Sequence, residues 1–284
     1  MSSRMTPLLL FFATAAVAAP PDAPAPVQVQ FAKVAPNPDT PGRTTGQARA
    51  VVLIHGLALH PISEAKAIKP QMRFWQVPES ALVKRLARDA DVYAVSYGQN
   101  APIEQLATDS PLPGHVRSLK KAGYRQIVLV GHSAGGLIAR HLVEDHPNLG
   151  ATRVIQVCSP NAGSSWASLR AARAAQQPFL ASITRSGRTK ALEGRSEKRI
   201  PETVEFACVV GSCNLRGDGV VFSKSQWPAD LQAQGIPAYS LWCIHWDAMS
   251  STRAVELLSR LVVEPQPRWD AKKVEETRKQ ILGG

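Results

Sequence analysis

A serine that could act as a nucleophile lies in the hexapeptide GHSAGG at residues 131–136. An apolar run, residues 126–130, precedes it and an amphipathic stretch, residues 137–143, follows it, which is the order strand, turn and helix. A free hydroxyl is a weak nucleophile at neutral pH, so Ser133 would need a general base and a carboxylate that orients this base. The alternative is a glycine-rich turn that joins a strand to a helix and carries no chemistry.

The candidate base is His245, because it alone of the seven histidines lies beyond the strand, turn and helix that surround Ser133. The last predicted strand spans residues 238–243, and His245 lies two residues after it. Groups that react together on a parallel sheet must emerge at the carboxyl ends of its strands, where crevices form. A packed or surface histidine is the alternative.

The candidate orienting acid is Asp218, which follows a predicted strand by a few residues and has a glycine on each side. Flanking glycines let the backbone turn so that the carboxylate can point into a cleft. The other acids between Ser133 and His245 fall in a predicted helix, in an irregular segment, at the start of a strand or in a polar connection. The resulting order of nucleophile, acid and base is the order that a serine elbow on an α/β sheet requires. An Asx turn at Asp218 is the alternative.

The negative charge that develops during attack on a carbonyl needs hydrogen-bond donors. The backbone N–H of Ala134 opens the helix after the serine, where the helix dipole favours negative charge. The second candidate is the N–H of Leu57, in the loop after the first core strand. Gly131 and Gly135 lie two residues before and after Ser133, where a sharp turn leaves almost no room for side chains.

Strands and helices alternate along most of the chain, which predicts crossover units and a mostly parallel sheet. The predicted strands are residues 50–54, 91–97, 126–130, 153–157, 203–210 and 238–243, and the predicted helices are residues 79–89, 112–123, 137–146 and 248–262. The alternation breaks at about residues 163–200, which are polar, basic and rich in alanine and predict helices without a strand.

Four segments are predicted along the chain. Residues 1–18 combine a basic start, an apolar run and small residues at cleavage spacing, which predicts a signal peptide and export to the periplasm or the exterior. Residues 19–48 are rich in proline and form a linker or an edge segment. Residues 49–264 form the α/β domain with its insert, and residues 265–284 form a charged, peripheral tail.

Export favours disulfides among the four cysteines, Cys158, Cys208, Cys213 and Cys243. Cys208 and Cys213 are close in sequence and are the first candidate pair, which leaves Cys158 with Cys243. Free buried thiols are the alternative. The spacing shows no metal-site signature.

The chain is basic, with a formal net charge of +11. Its basic residues are scattered apart from one cluster within residues 170–199, and no aromatic residues interleave with them. We therefore expect no nucleic-acid partner. A solvated basic face is the default interpretation, and contact with an anionic membrane or lipid surface is the alternative.

Together these residues resemble the α/β-hydrolase superfamily, and specifically secreted bacterial lipases and esterases. The resemblance covers about residues 50–262 and includes the run Val-Leu-Ile-His-Gly at 52–56, the lipase box GHSAG at 131–135, and the segments that hold Asp218 and His245. It implies the α/β-hydrolase fold, with helices on both faces of the sheet and a lid or cap formed by the insert. It also implies hydrolysis of acyl esters through an acyl-enzyme on Ser133, without a cofactor.

Asp247 matches the position of a calcium ligand in calcium-dependent bacterial lipases. The second acidic ligand expected in that family is replaced by basic residues, and one carboxylate is too few for Ca²⁺. We therefore expect no metal.

Three alternatives keep the same triad: an acyltransferase, a polyester depolymerase and a thioesterase. A peptidase and a non-catalytic binding module are less favoured.

Overall fold

A seven-stranded sheet forms the centre of the protein. The computed structural model describes residues 26–40, 42–168, 173–213 and 216–283, so the predicted signal peptide, residues 1–18, lies outside the described residues. The strands are β1 (Val29–Ala35), β2 (Arg49–Ile54), β3 (Asp91–Tyr97), β4 (Gln126–His132), β5 (Arg153–Val157), β6 (Glu205–Ser212) and β7 (Ala238–Trp242). Their order across the sheet is β1-β3-β2-β4-β5-β6-β7. Strand β1 is antiparallel to β3, and every other neighbouring pair is parallel.

Helices cover both faces of the sheet. They are α1 (Glu64–Ile68), α2 (Ala81–Leu86), α3 (Ile103–Thr108), α4 (Leu112–Lys121), α5 (Ala134–Asp145), α6 (Gln177–Ile183), α7 (Arg185–Glu193), α8 (Ser223–Gln226), α9 (Ala229–Ala233), α10 (Thr252–Val263) and α11 (Ala271–Leu282). Short 3-10 helices lie at Phe74–Gln76, Ser165–Ser168, Ala174–Gln176 and His245–Asp247.

Two apolar cores form because successive residues of a strand point to opposite faces. Along β2, Val52 and Ile54 join the core under α3, α4 and α5, whereas Val51 and Leu53 join the core under α2 and α10. The predicted fold class, a mostly parallel sheet with helices on both faces, is therefore confirmed.

The predicted and observed boundaries of the elements agree most closely where the apolar runs are continuous. Strands β3 and β5 coincide with the predicted segments 91–97 and 153–157. Helix α10 begins four residues later than predicted because the 3-10 helix His245–Asp247 comes first and Ser251 then caps α10, its hydroxyl accepting from the N–H of Ala254.

Segments outside the alternating pattern also contain regular structure. The proline-rich segment supplies the edge strand β1, the insert holds α6 and α7, and the tail holds α11. Among the described residues, no helix is both long enough and apolar enough to cross a bilayer.

The carboxyl ends of the parallel strands lie at one edge of the sheet, and the candidate site residues lie there. The loop after β2 holds Leu57, the turn after β4 holds Ser133, and the loop after β6 holds Asp218. His245 follows β7. Residues far apart in sequence are thus gathered at one crevice.

Candidate active site

Ser133 occupies a sharp turn between β4 and α5. Its φ of 54° and ψ of −126° are uncommon for a residue with a side chain, and backbone strain of this kind is typical of a nucleophile elbow. A Cβ on Gly131 would lie 2.5 Å from the carbonyl oxygen of Gly135, and a Cβ on Gly135 would collide with the carbonyl oxygens of Ile54 and His55. The turn therefore needs glycine at both positions.

Asp218 and His245 form a hydrogen-bonded pair. The distance between His245 Nδ1 and Asp218 Oδ2 is 2.7 Å, and the backbone N–H of His245 also donates to the carbonyl oxygen of Asp218 at 2.9 Å. The carboxylate can only accept, so Nδ1 carries the proton of a neutral imidazole and Nε2 is left as the basic nitrogen. This is the tautomer that a general base for Ser133 requires.

The carboxylate of Asp218 is fully buried and yet favoured in its ionised form. Burial by itself raises the pKa of this carboxyl, but the hydrogen bond and charge of His245 and the N–H groups of Val221 and Val220 outweigh burial, so the pKa is lowered. Both N–H groups donate to Oδ1, at 2.7 Å from Val221 and 2.9 Å from Val220. Oδ1 is thereby fixed, and Oδ2 is left to face the imidazole.

A buried glutamine that the sequence analysis did not single out supports the same loop. Gln226 is 1% exposed, and its side chain bonds both the N–H and the carbonyl oxygen of Gly211, at 2.7 and 3.0 Å. Its Nε2 also donates to the carbonyl oxygen of Val221 at 2.9 Å and lies 3.5 Å from Asp218 Oδ2. Gln226 thus ties the end of β6 to the turn that presents Asp218.

His132, the second residue of the lipase box, contacts the base directly. Its Nε2 donates to the carbonyl oxygen of His245 at 3.0 Å, and the two ring centroids are 4.8 Å apart. Burial, followed by the nearby His245, lowers the pKa of His132 to about 3. His132 is therefore a neutral donor that holds the backbone of His245 without competing for its proton.

Ser133 and His245 line one cleft of about 370 Å³. Its remaining lining residues are Leu57, Ala58, Leu59, His60, Arg73, Pro160, Ser164, Trp166, Ala167, Ile183, Val220, Val221 and Trp246. The Ser133 hydroxyl makes no hydrogen bond to another residue in the described parts of the chain. Catalytic hydrogen bonds of this kind are often formed fully only when substrate binds.

The loop after β2 packs against the elbow. A Cβ on Gly56 would lie 2.5 Å from Ser133 Cβ and 3.1 Å from the nitrogen of Ala134. The peptide that joins Gly56 to Leu57 therefore lies beside the first amide of α5, and both predicted oxyanion donors border the nucleophile. An amide at the first position of a helix has no acceptor within that helix, so it is free to bind an anion.

The two predicted disulfides are absent, since all four cysteines are free thiols in this structure. The pairing of Cys208 with Cys213 is wrong because the chain is extended from Cys208 to Ser212 at the end of β6, and those four steps span about 13 Å, well beyond the reach of a disulfide. Cys158 and Cys243 do lie close together, beside Gly211, but as free thiols. A Cβ on Gly211 would lie 2.5 Å from the sulfur of Cys158 and 3.2 Å from that of Cys243. A hydrogen bond between these two thiols, together with burial, raises the pKa of Cys158.

The potential metal-ligand groups that lie together in the described parts of the chain are Cys158, Asp218 and His245, whose ligand atoms are within 4.8 Å of one another. Asp218 and His245 already bond each other, so this cluster is the candidate triad with a neighbouring thiol. Asp247 is exposed, two residues after His245. The expectation that no calcium binds there stays a prediction.

Comparison with known families defines the class of protein. The family model described as the alpha/beta hydrolase family matches residues 51–276, which include all the candidate site residues. The chain belongs to the alpha/beta hydrolase family, as the sequence resemblance predicted. No curated protein sequence matches it.

Solved structures of lipases and esterases share this fold at low sequence identity. The mature Bacillus licheniformis lipase BlEst2 is 15% identical with a TM-score of 0.59, and the match covers 83% of this chain and 98% of that one. Aspergillus fumigatus lipase B is 15% identical with a TM-score of 0.57, covering 84% and 57%. The metagenomic carboxyl esterase MGS0156 is 17% identical with a TM-score of 0.52, covering 83% and 78%. At these identities the similarity establishes the fold, and the chemistry must be argued from the site.

Proposed function

We propose that this protein is a serine hydrolase of the lipase and carboxylesterase type, which cleaves acyl esters through an acyl-enzyme on Ser133. The observation that carries the proposal is the 2.7 Å hydrogen bond between His245 and the buried Asp218 at the cleft that Ser133 lines. This bond sets the tautomer in which His245 Nε2 can accept a proton. The strained elbow at Ser133 supports the same conclusion.

In the proposed reaction Ser133 Oγ attacks the ester carbonyl carbon, and its proton passes to His245 Nε2. The N–H groups of Leu57 and Ala134 bind the oxyanion of the tetrahedral intermediate. The bond to the leaving alcohol breaks, and the alcohol takes the proton from the imidazolium. A water then attacks the acyl-enzyme with His245 again as base, which releases the acid and restores the serine. Asp218 stays ionised throughout and stabilises the imidazolium.

The acyl group is proposed to bind in the apolar part of the cleft. Trp166, Ala167 and Ile183 of the insert form one wall, and Leu57 and Leu59 belong to the loop after β2. Apolar walls with a few convergent polar groups are typical of a site for an acyl chain.

We propose that the insert is a fixed cap. The fully buried Arg188 of α7 donates to Glu104 Oε1 at 3.1 Å and to His141 Nε2 at 3.2 Å. Arg195 forms an ion pair of 2.7 Å with the buried Glu144 of α5. Lifting the insert would break these hydrogen bonds and ion pairs, and it would leave Arg140 as the remaining partner of Glu144.

We further propose contact with a lipid surface. Three large exposed apolar side chains, Leu59, Trp166 and Trp246, line the cleft. Five more lie within three residues of a lining residue in the sequence: Ile62, Phe74, Phe222, Trp242 and Ile244. Arginines lie among them, because Arg73 lines the cleft, Arg173 bonds the carbonyl oxygen of Ile62, and Arg185 packs over the ring of Phe222. Apolar patches of this kind mark interaction sites, and the basic side chains favour an anionic surface.

The lipid contact is tested by flotation with vesicles of phosphatidylglycerol and of phosphatidylcholine. Trp246→Ser should weaken binding to the anionic vesicles, because Trp246 is exposed and lines the cleft. Val263→Ser should leave binding unchanged, since Val263 is an exposed apolar residue at the end of α10 and does not line the cleft. Equal effects of both substitutions would refute the assignment of this surface.

Export to the periplasm or exterior is proposed from residues 1–18 alone. Cell fractionation and N-terminal sequencing test it, because a processed chain should begin near residue 19. A cytosolic chain that retains those residues would overturn the proposal.

A fluorophosphonate probe and a panel of p-nitrophenyl esters test the chemistry. The wild-type protein and a Ser259→Ala control, which removes a serine of α10, should both be labelled, and Ser133→Ala should not. Resistance of the wild type, or labelling of Ser133→Ala, would refute the mechanism. Turnover that requires an added alcohol would instead identify an acyltransferase. Turnover of thioesters alone would identify a thioesterase, and turnover of polyesters alone would identify a depolymerase.

A further inference from the structure

The peptide between Gly56 and Leu57 is held by two side chains on its carbonyl side. Gln99 Nε2 donates to the carbonyl oxygen of Gly56 at 2.9 Å, and His55 Nδ1 lies 2.7 Å from the same oxygen. His55 is buried and stacked on Tyr97, with ring centroids 4.4 Å apart. Burial lowers its pKa to about 4, so the ring is neutral at neutral pH and Nδ1 serves as a fixed donor.

Anchoring this carbonyl oxygen sets the direction of the Leu57 N–H. In a trans peptide the C=O and N–H bonds of one plane point in opposite directions. In the described parts of the chain the one cis peptide bond is Ala35–Pro36, so the Gly56–Leu57 bond is trans. No residue of those parts accepts a hydrogen bond from the Leu57 N–H, which leaves that donor free for an oxyanion beside Ser133.

Gln99 is itself held by a second glutamine, which comes from the insert. Gln99 Oε1 accepts from the N–H of Ala58 at 3.1 Å and from Gln176 Nε2 at 2.7 Å. Gln176 Nε2 also donates to the carbonyl oxygen of Ala58 at 2.6 Å, and its Oε1 accepts from the N–H of His60 at 3.2 Å. Gln99 is 2% exposed and Gln176 is fully buried, so both amides are held in one orientation.

We propose that Gln99 is a positioning residue for the oxyanion hole, which locks the Gly56–Leu57 peptide with its N–H facing the cleft, and that Gln176 of the insert locks Gln99. The inference rests on the proposed acyl transfer at Ser133. It gives the insert a role beyond forming a wall of the cleft, because the insert completes the support of an oxyanion donor.

The substitution Gln99→Glu tests the hydrogen bond that Gln99 Nε2 donates to the carbonyl oxygen of Gly56. Burial favours the protonated form of the new carboxyl, which could still donate to the Gly56 oxygen, so this variant is assayed from about pH 7 to pH 9. Once ionised, the carboxylate can accept from Ala58 and Gln176, but it places an acceptor opposite the Gly56 oxygen. The repulsion favours rotation of the peptide away from the productive direction. Losing one oxyanion donor costs about 100- to 1000-fold in kcat, and a misdirected donor should cost about 10- to 100-fold. We expect this fall in kcat for Gln99→Glu with KM changed by less than about twofold, and a smaller fall for Gln176→Met.

The discriminating measurement uses a trifluoromethyl ketone inhibitor, whose adduct with Ser133 carries an oxyanion. Its inhibition constant should rise in proportion to the fall in kcat across the variants. Gln266→Met is the matched control, because Gln266 is a 2% exposed glutamine that bonds Tyr239 at the other end of the sheet, and it should change neither value. Thermal unfolding of each variant shows whether it is folded at the assay temperature.

The outcomes separate this inference from the proposed function. Unchanged kcat in Gln99→Glu across that pH range, or a fall in kcat with an unchanged inhibition constant, would overturn the positioning role while leaving the serine mechanism in place. Gln176→Met carries the second test if Gln99→Glu does not fold, and unchanged kinetics there would overturn the proposal. A wild-type protein that neither turns over esters nor reacts with the fluorophosphonate would overturn the proposed function and this inference together.

Discussion

The substitution Gly56→Ala tests how closely the oxyanion loop approaches the nucleophile. A new Cβ would lie 2.5 Å from Ser133 Cβ and 2.9 Å from the carbonyl oxygen of His132. Carbon atoms in contact prefer about 3.5 Å or more, so the loop or the elbow must retreat by about 1 Å. The elbow is packed through Gly131 and Gly135, and we therefore expect the loop to move.

A displacement of about 1 Å carries the Leu57 N–H away from the position of the oxyanion. Misplacement on this scale costs about 100-fold in rate, and complete loss of one donor costs about 100- to 1000-fold. We expect kcat to fall about 100-fold with little change in KM, because the oxyanion interaction forms in the transition state. Overpacking should also lower the free energy of unfolding by about 1–3 kcal/mol.

Ester hydrolysis and urea unfolding of Gly56→Ala are compared with those of Gly114→Ala. Gly114 lies in the first turn of α4, and a Cβ there would meet nothing within 4 Å. The control should keep wild-type kinetics and gain about 0.5–1 kcal/mol of stability, since glycine is unfavourable in helices. If Gly56→Ala keeps its kcat within about threefold, the oxyanion loop does not lie where this structure puts it.

Three further predictions follow from buried groups. Asp218→Asn should lower kcat about 10⁴-fold, because two backbone N–H groups hold the amide oxygen at the Oδ1 position and turn its NH₂ group toward His245, forcing the wrong tautomer; activity within tenfold of wild type would contradict this. Burial lowers the pKa of His55 to about 4 and that of His132 to about 3, so below pH 7 the unfolded chain binds protons that the folded chain excludes. Each histidine should therefore lower the free energy of unfolding by ~2 kcal/mol as the pH falls from about 7 to 5, which urea unfolding would measure. A free energy of unfolding that does not change over this range would refute the prediction. Iodoacetamide should modify only the partly exposed Cys213 in the native protein and all four thiols after unfolding, and a disulfide found by mass spectrometry would contradict the structure.

Most of the fold could be predicted because its signals are local. A parallel strand covered on both faces is a continuous apolar run, so residues 91–97 and 153–157 were delimited correctly. The candidate triad could be selected for a related reason. Catalytic groups on such a sheet follow strand ends, and chain order then left His245 and Asp218 as the candidates. In the structure His245 lines one cleft with Ser133, and the buried Asp218 bonds His245.

The predicted pairing of Cys208 with Cys213 was wrong because proximity in sequence is a poor guide to distance along a strand. Cys208 and Cys213 are five residues apart, but an extended backbone separates them by many ångströms, whereas Cys158 and Cys243 meet across β6. Only the pairing of strands β5, β6 and β7 brings the last two thiols together.

The supporting glutamines mark the boundary of what the sequence determines. Some features can be read from the sequence alone, because they depend on local pattern or on order along the chain. These are the apolar periodicity, the GHSAGG turn and the order of serine, aspartate and histidine. Gln99 and Gln176 look like ordinary surface residues in the sequence, since glutamine is usually exposed. Their burial, and with it the orientation of the Leu57 N–H, depends on hydrogen bonds between segments 77 residues apart. The tertiary structure alone decides these, because a buried amide is stable only where packing brings it a complete set of partners.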